Sequence, residues 1–281
     1  MDKNIDTAFY KDQAQDLLNS YESDKVVVIY KRLIAMTPKV HKHHYYWGRI
    51  RGDQEKYQWS ELKFREAIIL DPQDSYTLNN LGIIFSKQGK YDEAISIFQR
   101  ALEIPPRNPS LLLNLAITLT KKGDYEEALE WYGKALEGRP SDEYIHNAMG
   151  YLWFLQGKYK EAILKFNDAI KYDPWYEMPY FNKAMTFFCQ SGREEESKSA
   201  FEFGIQAIAG GNVKKFHTLK TSVNNYNSEM NRVLKELEYT EDVGSGVRVN
   251  LEKIQKGLEY ILGLLAVEVE KLENLLKQPL L

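Results

Sequence analysis

Residues 81–106 read LGIIFSKQGKYDEAISIFQRALEIPP. Apolar residues at helical spacing lead to Gly89, which breaks the run. A second helical pattern follows, with Tyr91, Ala94, Phe98 and Ala101 three or four residues apart. It stops at proline, which has no N–H to donate and clashes with the preceding turn. The stretch therefore predicts two short helices joined by a tight turn. The same text returns in altered spelling as LAITLTKKGDYEEALEWYGKALEGRP at 115–140 and MGYLWFLQGKYKEAILKFNDAIKYDP at 149–174.

The prolines fix the period. Pro38, Pro72, Pro106, Pro140 and Pro174 are each 34 residues apart (72 − 38, 106 − 72 and so on). Blocks of that length start at residues 7, 41, 75, 109, 143 and 177. Their eighth residue is always small: Ala14, Gly48, Gly82, Ala116, Gly150 and Ala184. An aromatic recurs at Tyr30, Phe64, Phe98, Tyr132 and Phe166, and alanine at Ala67, Ala101, Ala135 and Ala169. Small residues suit the closest approach of paired helices, and aromatics suit the gaps between pairs. One pair cannot bury its own apolar face, so neighbours must stack.

These columns resemble the tetratricopeptide repeat over residues 7–211. The resemblance is strong in blocks two to five. It is weaker in the first, where Ser23 and Val26 stand for the tyrosine and alanine. The sixth block slips by one residue at Gly192, Ser197 and Phe201. The expected fold is all-α: a right-handed α-solenoid of about six helix pairs, with residues 1–6 as an N-terminal extension.

After AGGN at 209–212 the period changes. Phe216, Leu219, Val223, Tyr226, Met230, Val233 and Leu237 form one apolar seam, and Leu251, Ile254, Leu258, Ile261 and Leu265 begin another. Residues 212–281 are expected to form a C-terminal helical hairpin. It would cap the solenoid, dimerise through residues 213–277, or lie in the protein's own groove.

Composition narrows the function. The 281 residues are 43% hydrophobic and 27% charged, with net charge −3. That supports a packed core and gives no broad basic field for nucleic acid. A single cysteine, Cys189, can build neither a disulfide framework nor a cysteine zinc site. The N-terminus shows no secretory signal, and no apolar run reaches a membrane span. The expectation is a cytoplasmic protein without membrane insertion. Phosphate loops and nucleophile elbows are missing. Acid pairs such as Glu126–Glu127 fall at helix starts, where they oppose the partial positive charge of the helix end. No enzyme activity, catalytic residue or cofactor is expected.

The histidine cluster HKHHYYWGR at 41–49 invites a metal. No acid or cysteine completes a recognised ligand spacing, and Gly48 and Trp47 fall in packing columns, so no metal site is expected.

The resemblance implies that the second, fifth, sixth, ninth, twelfth and thirteenth residues of a block face a concave groove. Asn80, Asn114 and Asn182 share one such column, and Asn79 and Asn147 precede it by one. Asparagine is a mediocre helix former, but its amide both donates and accepts, so a row of them suits an extended peptide backbone. Tyr45, Tyr46, Arg49, Tyr76, Tyr144, Tyr151, Phe154, Phe181 and Phe188 surround the row as candidate anchors. The lysines and arginine of the family's clamp for a terminal carboxylate are missing: Tyr45, Ser110 and Tyr144 stand in such positions. The expected function is a non-catalytic adaptor that binds a peptide or helix of a partner protein. The alternatives are a self-associating scaffold assembled through the C-terminal helices, and a regulatory subunit that senses a signal peptide.

Overall fold

A computed structural model describes residues 23–104, 110–190 and 192–209, with positions 10, 13, 14, 256, 259, 260 and 263. All regular structure among the described residues is helical. The expected N-terminal extension (1–6) and C-terminal hairpin (212–281) lie outside the described residues, apart from the four positions between 256 and 263.

The helices run α1 (Ser23–Met36), α2 (His41–Asp53), α3 (Tyr57–Leu70), α4 (Ser75–Lys87), α5 (Tyr91–Leu102) and α6 (Ser110–Lys122), then α7 (Tyr125–Gly138), α8 (Glu143–Leu155), α9 (Tyr159–Tyr172), α10 (Met178–Phe188) and α11 (Glu194–Ala209). The boundaries follow from local chemistry. Asp74 caps α4 by accepting from the Tyr76 N–H at 3.1 Å, and Asp142 caps α8 by accepting from that of Ile145 at 3.1 Å. The residue before a proline is pushed into extended backbone, as Asp71 (φ −140°, ψ 90°) and Asp173 (φ −133°, ψ 98°) are, and this ends α3 and α9. Between the helices of a pair the chain turns through left-handed backbone at Gly89 (φ +75°), Gly123 (+96°) and Gly157 (+69°). Glu55 takes the same conformation at φ +58° in the equivalent position of its block.

The described helices divide into two compact units, Met1–Ala135 and Leu136–Leu281. In the first, each helix from α1 to α5 packs on the next in the chain, and α2 on α4 and α4 on α6. In the second, α8, α9, α10 and α11 pack in the same order, with α8 on α10. Stacking of pairs in chain order is the α-solenoid arrangement.

The core is the repeated column of rings. Phe64, Phe98 and Tyr132 in the first unit and Phe166 in the second are fully buried. Each such ring contributes about 2 to 3 kcal/mol on burial. Phe98 lies so close to Gly82 that an added Cβ would sit 2.6 Å from its Cε1; Phe166 stands equally close to Gly150 and Phe64 slightly further from Gly48. The small eighth residue therefore sets the helix–helix distance. No helix among the described residues is long and apolar enough to cross a membrane.

Candidate functional site

In the first unit, α2 presents Lys42, Tyr45, Tyr46 and Arg49, spaced to share one face. Tyr46 stacks on Tyr30 at 5.6 Å between centroids, and Tyr45 meets it edge-on at 5.2 Å. The Arg49 guanidinium lies 5.4 Å over the Tyr46 ring, a cation–π contact. Burial pushes the Tyr30 phenol up to about 12, helped by Tyr46 and opposed by Arg49. Burial also raises Tyr45, against the pull of Arg49. The two tyrosines are thus neutral, packed and braced by a cation.

Helix α4 lies alongside. Tyr76 is 56% exposed. The Asn80 amide donates to the Tyr76 carbonyl oxygen at 2.8 Å and to the Tyr45 hydroxyl at 3.4 Å. Asn114 on α6 donates to the Asn79 Oδ1 at 2.9 Å. A cavity of about 590 Å³ opens where Lys42, Tyr45 and Tyr46 face Tyr76, with His41 and Ile104 at its edge.

The second unit repeats the link. Asn182 on α10 donates to the Asn147 Oδ1 at 3.0 Å, and Asn147 donates to the Tyr176 hydroxyl at 3.3 Å. Tyr144, 53% exposed, packs on Tyr176 at 4.8 Å. Burial, with Tyr144 and Glu177 nearby, raises the Tyr176 phenol strongly. Tyr151 is half-buried and stacks on Phe154 at 6.2 Å.

The asparagines therefore have a role that their column alone did not reveal. In Tyr45–Asn80, Asn79–Asn114 and Asn147–Asn182 a fifth residue meets the sixth residue of the next block, 35 positions on. These bonds tie one helix pair to the next. Asn79 and Asn182 are buried in doing so. Asn114 is half-exposed, and its own oxygen takes no bond among the described residues.

Two expected groove residues are corrected. Phe181 is 1% exposed and packs on Phe201 at 5.6 Å and against Gly204. Phe154 is 3% exposed and packs on Tyr159 at 5.9 Å. Both rings fill the space between helices, because burying an aromatic against a neighbouring helix outweighs presenting it to water. Phe188 is half-buried and stacked at 5.0 Å on Tyr260, a ring of the chain's own C-terminal segment.

The described histidines have partners within the fold. His44 sits between Glu66 Oε2 (2.8 Å) and the Pro38 carbonyl oxygen (3.2 Å). His146, three blocks later, meets the Pro140 carbonyl oxygen at 2.9 Å and faces Asp168 at 3.6 Å. In block six the Tyr180 hydroxyl donates to the Pro174 carbonyl oxygen at 3.2 Å. In these three blocks the fourth residue thus latches the inter-repeat turn. His43 bonds Thr37 at 3.1 Å, and His41 lies 3.7 Å from Asp71. Among the described residues no three His, Cys, Asp or Glu side chains are grouped to hold a metal. Cys189 is buried beside Tyr159, whose phenol burial and that thiol raise.

Tetratricopeptide-repeat family models match residues 86–151 and 63–96. A tetratricopeptide repeat protein from Parabacteroides merdae is similar in structure, with TM-score 0.61 and 16% identity over 91% of this chain and 98% of its own. PilW, a type IV pilus biogenesis factor, has TM-score 0.61 and 15% identity over 76% of this chain and 98% of its own. PilF of Pseudomonas aeruginosa has TM-score 0.58 and 13% identity over 78% and 99%. No curated protein matches the sequence. At these identities the solved structures establish the fold alone. Helix pairs at a 34-residue period, a glycine-to-ring contact in pair after pair and the matching family models lead to one conclusion: the chain is a tetratricopeptide-repeat protein.

Proposed function

We propose that the protein is a non-catalytic adaptor whose first helices bind a segment of a partner protein. The observation that carries this reading is the face of the first unit. There a 590 Å³ cavity lies among half-exposed tyrosines, beside side-chain amides with bonding capacity to spare. Aromatic anchors flanked by amides suit a peptide: the rings take a side chain and the amides pair with its backbone. The side chains that could mimic a catalytic set have other roles. Glu126 and Glu127 are exposed in the first turn of α7, and Glu196 pairs with Arg193. Assembly through residues 213–277 is a separate proposal that concerns residues outside those described.

A photo-crosslinking amino acid placed at Tyr76, and separately at Tyr144, tests this in the native cell. The expected result is capture of one defined partner from these positions and none from the exposed outer position Ile69, which is 78% accessible. Equal capture from Ile69, or none from Tyr76 and Tyr144, rejects the assignment.

A further inference from the structure

Positions that line the cavity of the first unit recur within the second. Among them are the first, second, thirty-first, thirty-third and thirty-fourth residues of the block that starts at 41, and the first of the next: His41, Lys42, Asp71, Gln73, Asp74 and Ser75. In the blocks that start at 143 and 177 the same positions hold Glu143, Tyr144, Asp173, Trp175, Tyr176 and Glu177. Two acids beside a lysine and a histidine give way to three acids beside three rings, with no basic residue among the six. Here the second unit joins aromatic surface to negative charge.

The structure brings these side chains together. Tyr144 is 53% exposed and packs on Tyr176 at 4.8 Å between centroids. Trp175, beside Tyr176 in the chain, is 63% exposed. Burial raises the Tyr144 phenol, and Glu143, Asp173, Glu177 and Asp142 act on it in the same direction. Of these four carboxylates, Asp142 is offset by Arg139 at 2.9 Å. Asp173 accepts from the Trp175 N–H at 2.8 Å, a bond that orients the carboxylate and leaves it further acceptor sites. It follows α9, whose C-terminal end is itself partially negative. Lys171 lies over Tyr172 at 5.7 Å, not over the Tyr144–Tyr176 pair. The wall behind the exposed ring is braced. The Asn147 amide donates to the Tyr176 hydroxyl at 3.3 Å, and the Asn182 amide donates to Asn147 at 3.0 Å. A ligand therefore meets a pair of rings already ordered, at a lower entropy cost than free side chains would carry.

We propose that this site takes a basic segment of the partner, with a lysine or arginine side chain laid over the rings of Tyr144 and Trp175 and paired with Glu143 and Asp173. This rests on the peptide-binding reading above and specifies its ligand. The face of an aromatic ring attracts a cation, and carboxylates at its rim favour the same charge. The apolar stem of lysine or arginine covers ring surface that is otherwise wet, while its charged head stays at the carboxylates. An acidic side chain would meet repulsion there, and a neutral one would forgo the attraction.

The test is selection of a random peptide library on the full-length protein. The affinity of the enriched peptides is then measured for wild type, for the ring variants Trp175→Ala and Tyr144→Ala, and for the charge variant Glu143→Gln/Asp173→Asn. Trp175→Ala removes an exposed ring and remains informative if Tyr144→Ala fails to fold. It also leaves the net charge at −3, so a general attraction of basic peptides to the acidic chain does not imitate its effect. The expected result is enrichment of peptides that carry lysine or arginine. Their affinity should fall about fivefold or more in the folded ring variants and in the charge variant, and weaken with added salt. Enrichment of acidic or neutral peptides overturns the basic assignment and leaves the peptide-binding reading standing. So does enrichment of basic peptides that bind the folded ring variants or the charge variant as tightly as wild type. No enrichment at all overturns both.

Discussion

Replacing Gly82 by alanine puts the repeat's central contact to a quantitative test. In an open helix the change is favourable, because glycine in a helix interior costs up to about 1 kcal/mol relative to alanine. Gly82 is not open. The new Cβ would lie 2.6, 2.7 and 2.9 Å from three atoms of the Phe98 ring, where ordinary contacts begin at 3.4 Å. About 0.8 Å must be absorbed, and Phe98 is fully buried with no room to retreat. Overpacking of this kind costs about 1 to 3 kcal/mol. The overlap involves three ring atoms, which places it toward the upper end. Less the helix gain, Gly82→Ala should destabilise by about 1 to 2 kcal/mol, or about 2 to 8 °C at the slope of a protein of this size. Gly133, in α7, supplies the control: its added Cβ meets nothing within 4 Å. Gly133→Ala should stabilise by about 0.5 to 1 kcal/mol. The assay is helix content by circular dichroism against temperature and urea. Hydrogen exchange locates the loss on α4 and α5, since repeat arrays need not unfold in one step. If Gly82→Ala melts at or above the wild-type midpoint, as Gly133→Ala should, close approach to Phe98 is not what selects glycine there.

Three further outcomes follow from the same structure. Glu55→Gly should stabilise by about 0.5 to 1 kcal/mol in urea melts, because a non-glycine residue at φ +58° carries about 1 to 2 kcal/mol of strain, partly offset by the freer unfolded chain. No gain would mean the turn tolerates a side chain without cost. A double-mutant cycle of Asn79→Ala and Asn114→Ala should show about 1 kcal/mol of coupling for their 2.9 Å bond, and additivity would refute the link between repeats. Glu66 titrates below its ordinary 4.5: partial burial works against this, but its bonds from Lys63 and His44 outweigh it. A lowered carboxylate stabilises above its unfolded value and loses that contribution as pH falls through the lowered one. Urea midpoints should therefore drop below pH 4.5, and Glu66→Gln should flatten that part of the profile.

Much of the fold was legible in the sequence. Pro38 to Pro174 set the period, Gly89, Gly123 and Gly157 marked the turns, and Phe64 to Phe166 marked the core. The candidate face was legible in outline, as the columns of Tyr45, Tyr76 and Tyr144. Its corrections came at Phe154 and Phe181, which share groove columns yet are buried.

Sequence alone determined where helices begin and end and which residues pack within a pair. Those outcomes depend on backbone chemistry and side-chain volume within some twenty positions, and the repeat states them again in block after block. Only the tertiary structure decided where the asparagine amides point, because their partners lie 35 positions away and depend on how one pair is rotated against the next. It also decided the backbone at Glu55: packing of α2 on α3 holds that turn left-handed even where no glycine invites it.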